Sequence, residues 1–349
     1  MVRISIVCLV YRSKKLADWV YDSVHEFTPA LKNGEAEFFF IANDPTNEIL
    51  GHLDKKKYAY IINNNPQYTE EELFEAGYAK PEYIGRVYRG YNQGILNAKG
   101  DMVVLINSDN FFSPDWLENL VKYSDRSKVI SSKIVERTHP KYSFFPGAYN
   151  ENFGDHPDNF RKNDFLNFVL KNKKTGLELN GAYMPCLLYK DVAIQAGLYP
   201  EGNIAAGDYD NVKLYGDEAF YQNLSQMGIK HLTSMDSIVY HLKEGESDET
   251  GSKKEERFNH STSSVKLKPY SEPSLRPLIL YFTPCLNHTI ITESIVIGEV
   301  DGFWRKLYKK IKNNIVIRFT LNTIYLLLSR LGLLTTVKKI LGMTPINKS

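Results

Sequence analysis

An apolar run from Met102 to Ile106 stops abruptly at Asn107-Ser108-Asp109-Asn110, and a Pro-Asp-Trp turn follows. Two earlier apolar runs stop in a similar way. The run over residues 3–10 ends in Tyr11-Arg12, and the run over 37–42 ends in Asn43-Asp44. Ligands of open α/β sheets bind beyond the carboxyl ends of the strands, so Asp44 and Asp109 are candidates for one common rim. Each also has a plain structural reading, because Asp-Pro starts turns and a Ser-Asp-Asn run before Pro114 can cap a helix. The chain has no GxGxxG after its first apolar run and no GxxxxGK[ST] anywhere. A phosphate-bearing ligand would therefore lack both common Gly-rich cradles. A divalent cation is the other way to hold a diphosphate. Mg²⁺ or Mn²⁺ takes carboxylate and phosphate oxygens and needs few protein ligands. Asp109 is the candidate anchor.

Those carboxylates need a sheet to position them. Residues 3–10 and 37–42 read as buried parallel strands, and 14–28 between them carries Leu16, Trp19, Val20, Val24 and Phe27 at helical spacing. Strand–helix–strand is the opening of an α/β sheet. Residues 46–90 are polar and Tyr-rich, with a weak strand at 58–62; 91–98 reads as helix and 102–106 as strand. A helix over 114–123 has Pro114 in its first turn, where the missing N–H costs nothing. A strand over 128–134 follows. Residues 137–178 give no secure pattern. Beyond them come a strand, a helix over 190–196, a helix from Asp217 closed by Gly228, and extended stretches at 229–233 and 236–240. Residues 243–268 are charged and Ser-rich and read as a loop or linker.

With 349 residues, 43% hydrophobic and 24% charged, the chain has the length for one large domain with an appendage, or for two. Its three cysteines, Cys8, Cys186 and Cys285, form no CxxC pair, which argues against a disulfide framework or a zinc site. The N-terminal apolar stretch is short, β-branched and followed by no small-residue cleavage site, so it reads as a strand and not a leader. The catalytic part is expected in the cytoplasm. Charge is uneven. Residues 302–349 hold ten Lys and Arg and no Asp or Glu, leaving the preceding 301 residues at a formal −8. Residues 303–312 and 315–341 read as a helix pair, and 315–334 approaches the length of a membrane span but is broken by Arg318, Asn322, Ser329 and Arg330. Helices lying in an anionic membrane surface are the expectation, on the inner face of the cell membrane; packing on the catalytic domain or a partner subunit is the alternative. No nucleic-acid fold signature is present, so no nucleic-acid partner is expected.

Over roughly residues 3–242 the sequence resembles the family 2 glycosyltransferases, inverting enzymes of the GT-A fold that use nucleotide-sugar donors. ISIVCLVYRS is similar to the family's first strand and loop, FFFIANDPTNE to its second, and GYNQGILNAKGDMVVLINSDN to the helix and strand leading into the DXD-type motif. NGAYMPCLLYKDVAIQAGLYPEG resembles the segment beside the transferred sugar, LYGDEAFYQNLSQMGIKH the helix with the catalytic base, and SIVYHLKEG a strand before a metal-contacting His. The resemblance implies an α/β, Rossmann-like mixed sheet with a nucleotide-sugar half (about 1–135), an acceptor half (about 136–242) and a C-terminal helical extension (269–349). It assigns Asp44 to the uracil, Ser108 to the ribose, and Tyr11 and Asn92 to the donor site. Asp109 and His241 become metal contacts. Asp217, eleven residues before Gly228, becomes the base, with Glu218 adjacent. The DXD motif is thinned to Asp109 alone, and Gly216 stands where an acid often precedes the base.

The implied activity is transfer of a sugar from an NDP-sugar, with UDP expected, to a glycan or lipid-linked acceptor in bacterial surface polysaccharide synthesis. A divalent metal, Mn²⁺ or Mg²⁺, is the expected cofactor, and a second copy of the chain is a further candidate partner. Two rivals stand beside this reading. One is a catalytically idle GT-A-like protein that binds glycan or scaffolds an assembly, favoured by the thinned motif. The other is a nucleotidyltransferase, which would normally show a Gly-rich loop where this chain has VYRSKK.

Overall fold

A computed structural model describes residues 3–65, 68–79, 83–138 and 147–243, together with the short strands Leu278–Leu280 and Ile295–Ile297. The order of elements is β1 (Ile4–Val10), α1 (Lys14–Glu26), α2 (Pro29–Lys32), β2 (Ala36–Asn43), α3 (Asn47–Lys56), β3 (Tyr60–Asn63), α4 (Glu70–Glu75) and α5 (Tyr83–Asn97). Then come β4 (Met102–Asn107), β5 (Asn110–Phe111), α6 (Trp116–Val121), β6 (Lys128–Glu136), β7 (Tyr149–Asn150), α7 (Lys162–Asn172) and β8 (Leu177–Leu179). The last part holds β9 (Cys186–Tyr189), α8 (Lys190–Gln195), β10 (Ile204–Ala205), β11 (Val212–Leu214), α9 (Gly216–Gln226) and β12 (Lys230–His241). The expected linker after 243 and the basic C-terminal helices lie outside the described residues. The two strands beyond it, β13 and β14, pair antiparallel with each other in a separate unit.

The main sheet runs β3-β2-β1-β4-β9-β6-β12-β5, with β7 on β6 and β8 on β12. Strands β1, β2, β3 and β4 are mutually parallel, whereas β9 runs antiparallel to both β4 and β6. This is the mixed α/β sheet flanked by helices that the resemblance implies. The parallel strands are buried on both faces, which is why they read as unbroken apolar runs. Alternate residues serve alternate faces: Ile6, Cys8, Phe38, Phe40, Val104 and Ile106 join one core, and Val7, Leu9, Phe39, Ile41, Val103 and Leu105 the other.

The helices start where the sequence supplies caps. The Ser13 hydroxyl accepts the Leu16 N–H at α1 and the Thr46 hydroxyl the Ile49 N–H at α3. Helix α5 lies close on β1. A Cβ added to Gly94 would come within 2.2 Å of Val7, and one on Gly90 within 2.6 Å of Leu9. Only glycine admits that approach, and it fixes where Tyr88, Tyr91 and Asn92 stand. The chain builds outward from β1 to β3, then returns to β4 on the other side of β1, so the strand order reverses there. The crevice beyond the carboxyl ends of β1 and β4 is where such sheets take ligands.

Candidate functional site

Sheet register brings the first cluster together. Strand β4 ends at Asn107, whose backbone N–H donates to Asn110 Oδ1 at 3.0 Å, closing a turn that carries Ser108 and Asp109. The chain then enters β5, which pairs antiparallel with the end of β12 so that Asn110 faces His241. On its other side β12 runs parallel to β6 and sets His241 beside Glu136. The imidazole is held between two carboxylates. Nε2 lies 3.1 Å from Asp109 Oδ2 and Nδ1 lies 3.0 Å from Glu136 Oε2, while Lys243 Nζ reaches Glu136 Oε1 at 2.9 Å. The Asp109 and Glu136 side chains are 10% and 2% exposed, against 25% for His241. Burial pulls the imidazole pKa down, but Asp109 and Glu136 overcome it and raise it to about 10. The two sequence-assigned metal contacts, Asp109 and His241, are therefore adjacent. Glu136 is an addition that the sequence did not announce.

These donors suit a hard divalent cation. One carboxylate oxygen and one imidazole nitrogen converge, and the second imidazole nitrogen is held by a carboxylate, a common arrangement around metal-bound histidine. Among the described residues no set of three or more His, Cys, Asp or Glu side chains is arranged to hold a metal by itself. Two protein donors leave most positions to water or phosphate oxygens, as Mg²⁺ sites commonly do.

A second cluster surrounds Asp217. It sits in the first turn of α9, partly buried, with Oδ1 accepting the Glu218 N–H at 2.9 Å. The helix does not need Asp217 as its cap. The Asn203 side chain accepts the Gly216 N–H at 3.1 Å, and the Glu218 carboxylate accepts the Tyr215 N–H at 3.2 Å. Burial raises the Asp217 pKa; the Glu218 N–H and the Tyr88 hydroxyl lower it by less, and the Glu218 charge adds to the rise. Three phenols converge here, since Tyr88, Tyr183 and Tyr199 are each raised first by burial and then in part by the Asp217 charge, Tyr183 to about 12. The buried Tyr88 hydroxyl makes no well-aligned hydrogen bond. A Cβ on Gly216 would lie 2.3 Å from the Tyr88 ring, so glycine is the residue that fits.

Ring contacts link the Asp217 cluster to the strand ends. Tyr88 stacks on Tyr199 at 5.6 Å, Tyr199 meets Tyr91 at 6.2 Å, and the Tyr91 hydroxyl donates to Asn107 Oδ1 at 2.5 Å. Asn92 has both ends of its amide on the Tyr199 backbone, at 2.8 and 2.9 Å, where it fastens α5 to the loop before α9. Asp44 follows β2 in a left-handed conformation (φ 47) and accepts the backbone and side-chain N–H groups of Asn65 at 2.7 and 2.8 Å. Tyr11 follows β1, with the Arg12 guanidinium 4.5 Å over its ring.

Fold and site together define an α/β protein with acidic and imidazole groups beyond the carboxyl ends of the strands of a mixed sheet. Residues 81–195 match the family described as glycosyl transferase family 2. The matched stretch contains Asn92, Ser108, Asp109 and Glu136; Asp44, Asp217 and His241 lie outside it. No curated protein sequence matches the chain. Among solved structures, the mannosyltransferase PcManGT from Pyrobaculum calidifontis in complex with GDP-Man and Mn²⁺ aligns at a TM-score of 0.42 and 15% identity, over 70% of this chain and 58% of its own. GalNAc-T7 with UDP, GalNAc and Mn²⁺ aligns at 0.46 and 17%, over 69% and 44%. S. aureus TarS 1-349 aligns at 0.43 and 12%, over 68% and 60%. The chain thus spans between 44% and 60% of those proteins' lengths.

Proposed function

We propose that this chain is an inverting glycosyltransferase that moves a sugar from a UDP-sugar to a hydroxyl of a glycan or lipid-linked acceptor. The observation that carries the reading is the pairing of Asp109, after β4, with His241, at the end of β12, 3.1 Å apart. Asp44 and Tyr11, at the ends of the neighbouring strands β2 and β1, would receive the nucleoside. Asp109 and His241 would hold a divalent cation, which when bound supplies positive charge to the departing diphosphate.

The chain's own residues account for the proton and the attack. Asp217 takes the proton of the acceptor hydroxyl as that oxygen bonds to the anomeric carbon. The bond from that carbon to the donor phosphate breaks on the opposite face, and configuration inverts. Desolvation makes Asp217 a stronger base than an exposed carboxylate, and placement against the acceptor is the larger part of its effect. Glu218, next to Asp217, accepts the Tyr215 N–H at the helix start. The basic stretch 302–349 supports work at an anionic membrane surface, where the acceptor would be a growing surface polysaccharide. Among the described residues no helix is long and apolar enough to cross a membrane.

The test is a UDP titration with and without Mn²⁺, followed by a panel of NDP-sugars assayed for metal-dependent transfer and hydrolysis. Metal-dependent UDP binding is expected in the parent and its loss in Asp109→Asn. UDP binding indifferent to metal and to Asp109 would leave an idle scaffold as the better description.

A further inference from the structure

Behind the Asp109–His241 pair lies a buried salt bridge to which neither the resemblance nor the sequence gives a task. Glu136 is the last residue of β6, and its carboxylate is 2% exposed. One oxygen faces His241 Nδ1 at 3.0 Å and the other faces Lys243 Nζ at 2.9 Å. Lys243 reaches back because the chain turns there through a left-handed conformation (φ 63), which a lysine rarely adopts. The Lys243 side chain is 9% exposed, so both charges have left water. Burying such a pair is costly, and a hydrophobic pair of similar volume would commonly serve stability as well. Its placement behind an imidazole gives it another use.

We propose that Glu136, with its charge balanced by Lys243, is a positioning residue that holds the His241 ring by Nδ1 and presents Nε2 toward Asp109 for a divalent cation. The inference rests on the proposed function, since it assumes that Asp109 and His241 take the metal. An imidazole free to rotate about its side-chain bonds would spend much of its time with Nε2 elsewhere. The Glu136 contact removes that freedom, and a carboxylate on Nδ1 also makes Nε2 a better donor to a metal. Strand register enforces the arrangement, because His241 and Glu136 are direct partners in the parallel β12–β6 ladder. The groups facing His241 are Asp109 from the β4–β5 turn and Glu136 from β6, and Lys243 faces Glu136.

The experiment measures Mn²⁺ binding to the full chain without nucleotide, by the loss of the free-ion signal in electron paramagnetic resonance, alongside thermal melting. Asp109→Asn should abolish binding. Glu136→Gln should weaken it about 10–100-fold, the range found when such supporting partners of metal ligands are removed. Glu136→Gln strands the Lys243 ammonium and should lower stability by itself, so the double variant Glu136→Gln/Lys243→Met is the decisive one. It removes both charges, and it should melt near the parent while still binding Mn²⁺ about 10–100-fold more weakly. Affinity that returns together with stability in the double variant would show a purely structural ion pair and overturn the inference alone. Mn²⁺ binding that survives Asp109→Asn would overturn the metal reading beneath it.

Discussion

Replacing Asp217 by asparagine should separate chemistry from stability, because its two effects have opposite signs. Asparagine keeps Oδ1, so the Glu218 N–H at 2.9 Å retains its acceptor, while the charge is lost and the second oxygen becomes an NH2 donor. The beginning of α9 favours an anion by about 0.3–1 kcal/mol. Even so, burial raises the Asp217 pKa above 3.8 against the Glu218 N–H and the Tyr88 hydroxyl, so desolvation wins. A carboxyl group with a raised folded pKa adds stability while protonated. That contribution is complete below the unfolded value of 3.8 and is lost as pH climbs through the folded one. Each unit between the two values corresponds to about 1.4 kcal/mol. The asparagine variant has no such proton to lose. Its melting temperature, compared with the parent's, should therefore gain steadily across that window and exceed it at neutral pH. For a domain of this size the gain is about 2–4 °C per kcal/mol.

Turnover should move the other way. Loss of a general base costs about 10²–10⁴-fold. Scanning calorimetry from about pH 3 to about pH 8, paired with single-turnover transfer at neutral pH, reads both effects. A melting temperature at neutral pH below the parent's would mean that the surroundings hold the carboxylate instead of penalising it. Transfer within about tenfold of the parent would remove Asp217 from the chemistry.

Three further outcomes follow from the same geometry. Tyr88→Phe removes a hydroxyl that lowers the Asp217 pKa, so the acidic limb of the kcat/KM profile should move to higher pH; an unmoved limb refutes the coupling. Gly216→Ala places a methyl 2.3 Å from the Tyr88 ring and should cost about 1–3 kcal/mol in urea unfolding, with the cost shrinking in a Tyr88→Leu background. His231, partly buried with Nε2 2.7 Å from the Ser131 hydroxyl, has its pKa lowered from 6.5 to about 4 by desolvation. The unfolded chain takes up that proton first, so stability should fall by about 3 kcal/mol as pH drops from about 6.5 to about 4. His231→Asn should flatten that slope, and an unchanged slope would assign the acid sensitivity to other groups.

The elements that the sequence disclosed are those whose local pattern is also their tertiary role. Strands β1, β2 and β4 are buried on both faces and read as continuous apolar runs; the acids that end β2 and β4 mark the rim. Helix α5 is the instructive partial miss. The expected helix began at 91, whereas the observed one starts at Tyr83. Gly90 and Gly94 depress helical propensity, but both are present because β1 lies too close for any side chain. Helix α3 went unseen because its ten residues bury only Ile49 and Leu53. Helix α7 falls in the stretch with no readable pattern, and it too buries little, Phe165 and Val169. Glu136 escaped because the expected strand stopped at 134; a charged residue two places further on gives no sign of burial until the β12 register sets His241 beside it.

The same reasoning recasts the missing acid before Asp217. By sequence alone Gly216 reads as a gap in the family pattern, and a gap next to the base weakens the claim to catalysis. In the structure the position has no vacancy to fill. The Tyr88 ring occupies the space where a side chain at 216 would begin, and the ring can be there because two glycines let α5 down onto β1. Its hydroxyl then lowers the pKa of a carboxyl group that burial has raised. A second acid at 216 would put another negative charge next to Asp217 and push its pKa further up. A phenol opposes the rise without adding charge at neutral pH. The departure from the pattern is thus matched by the direct packing of α5 against α9.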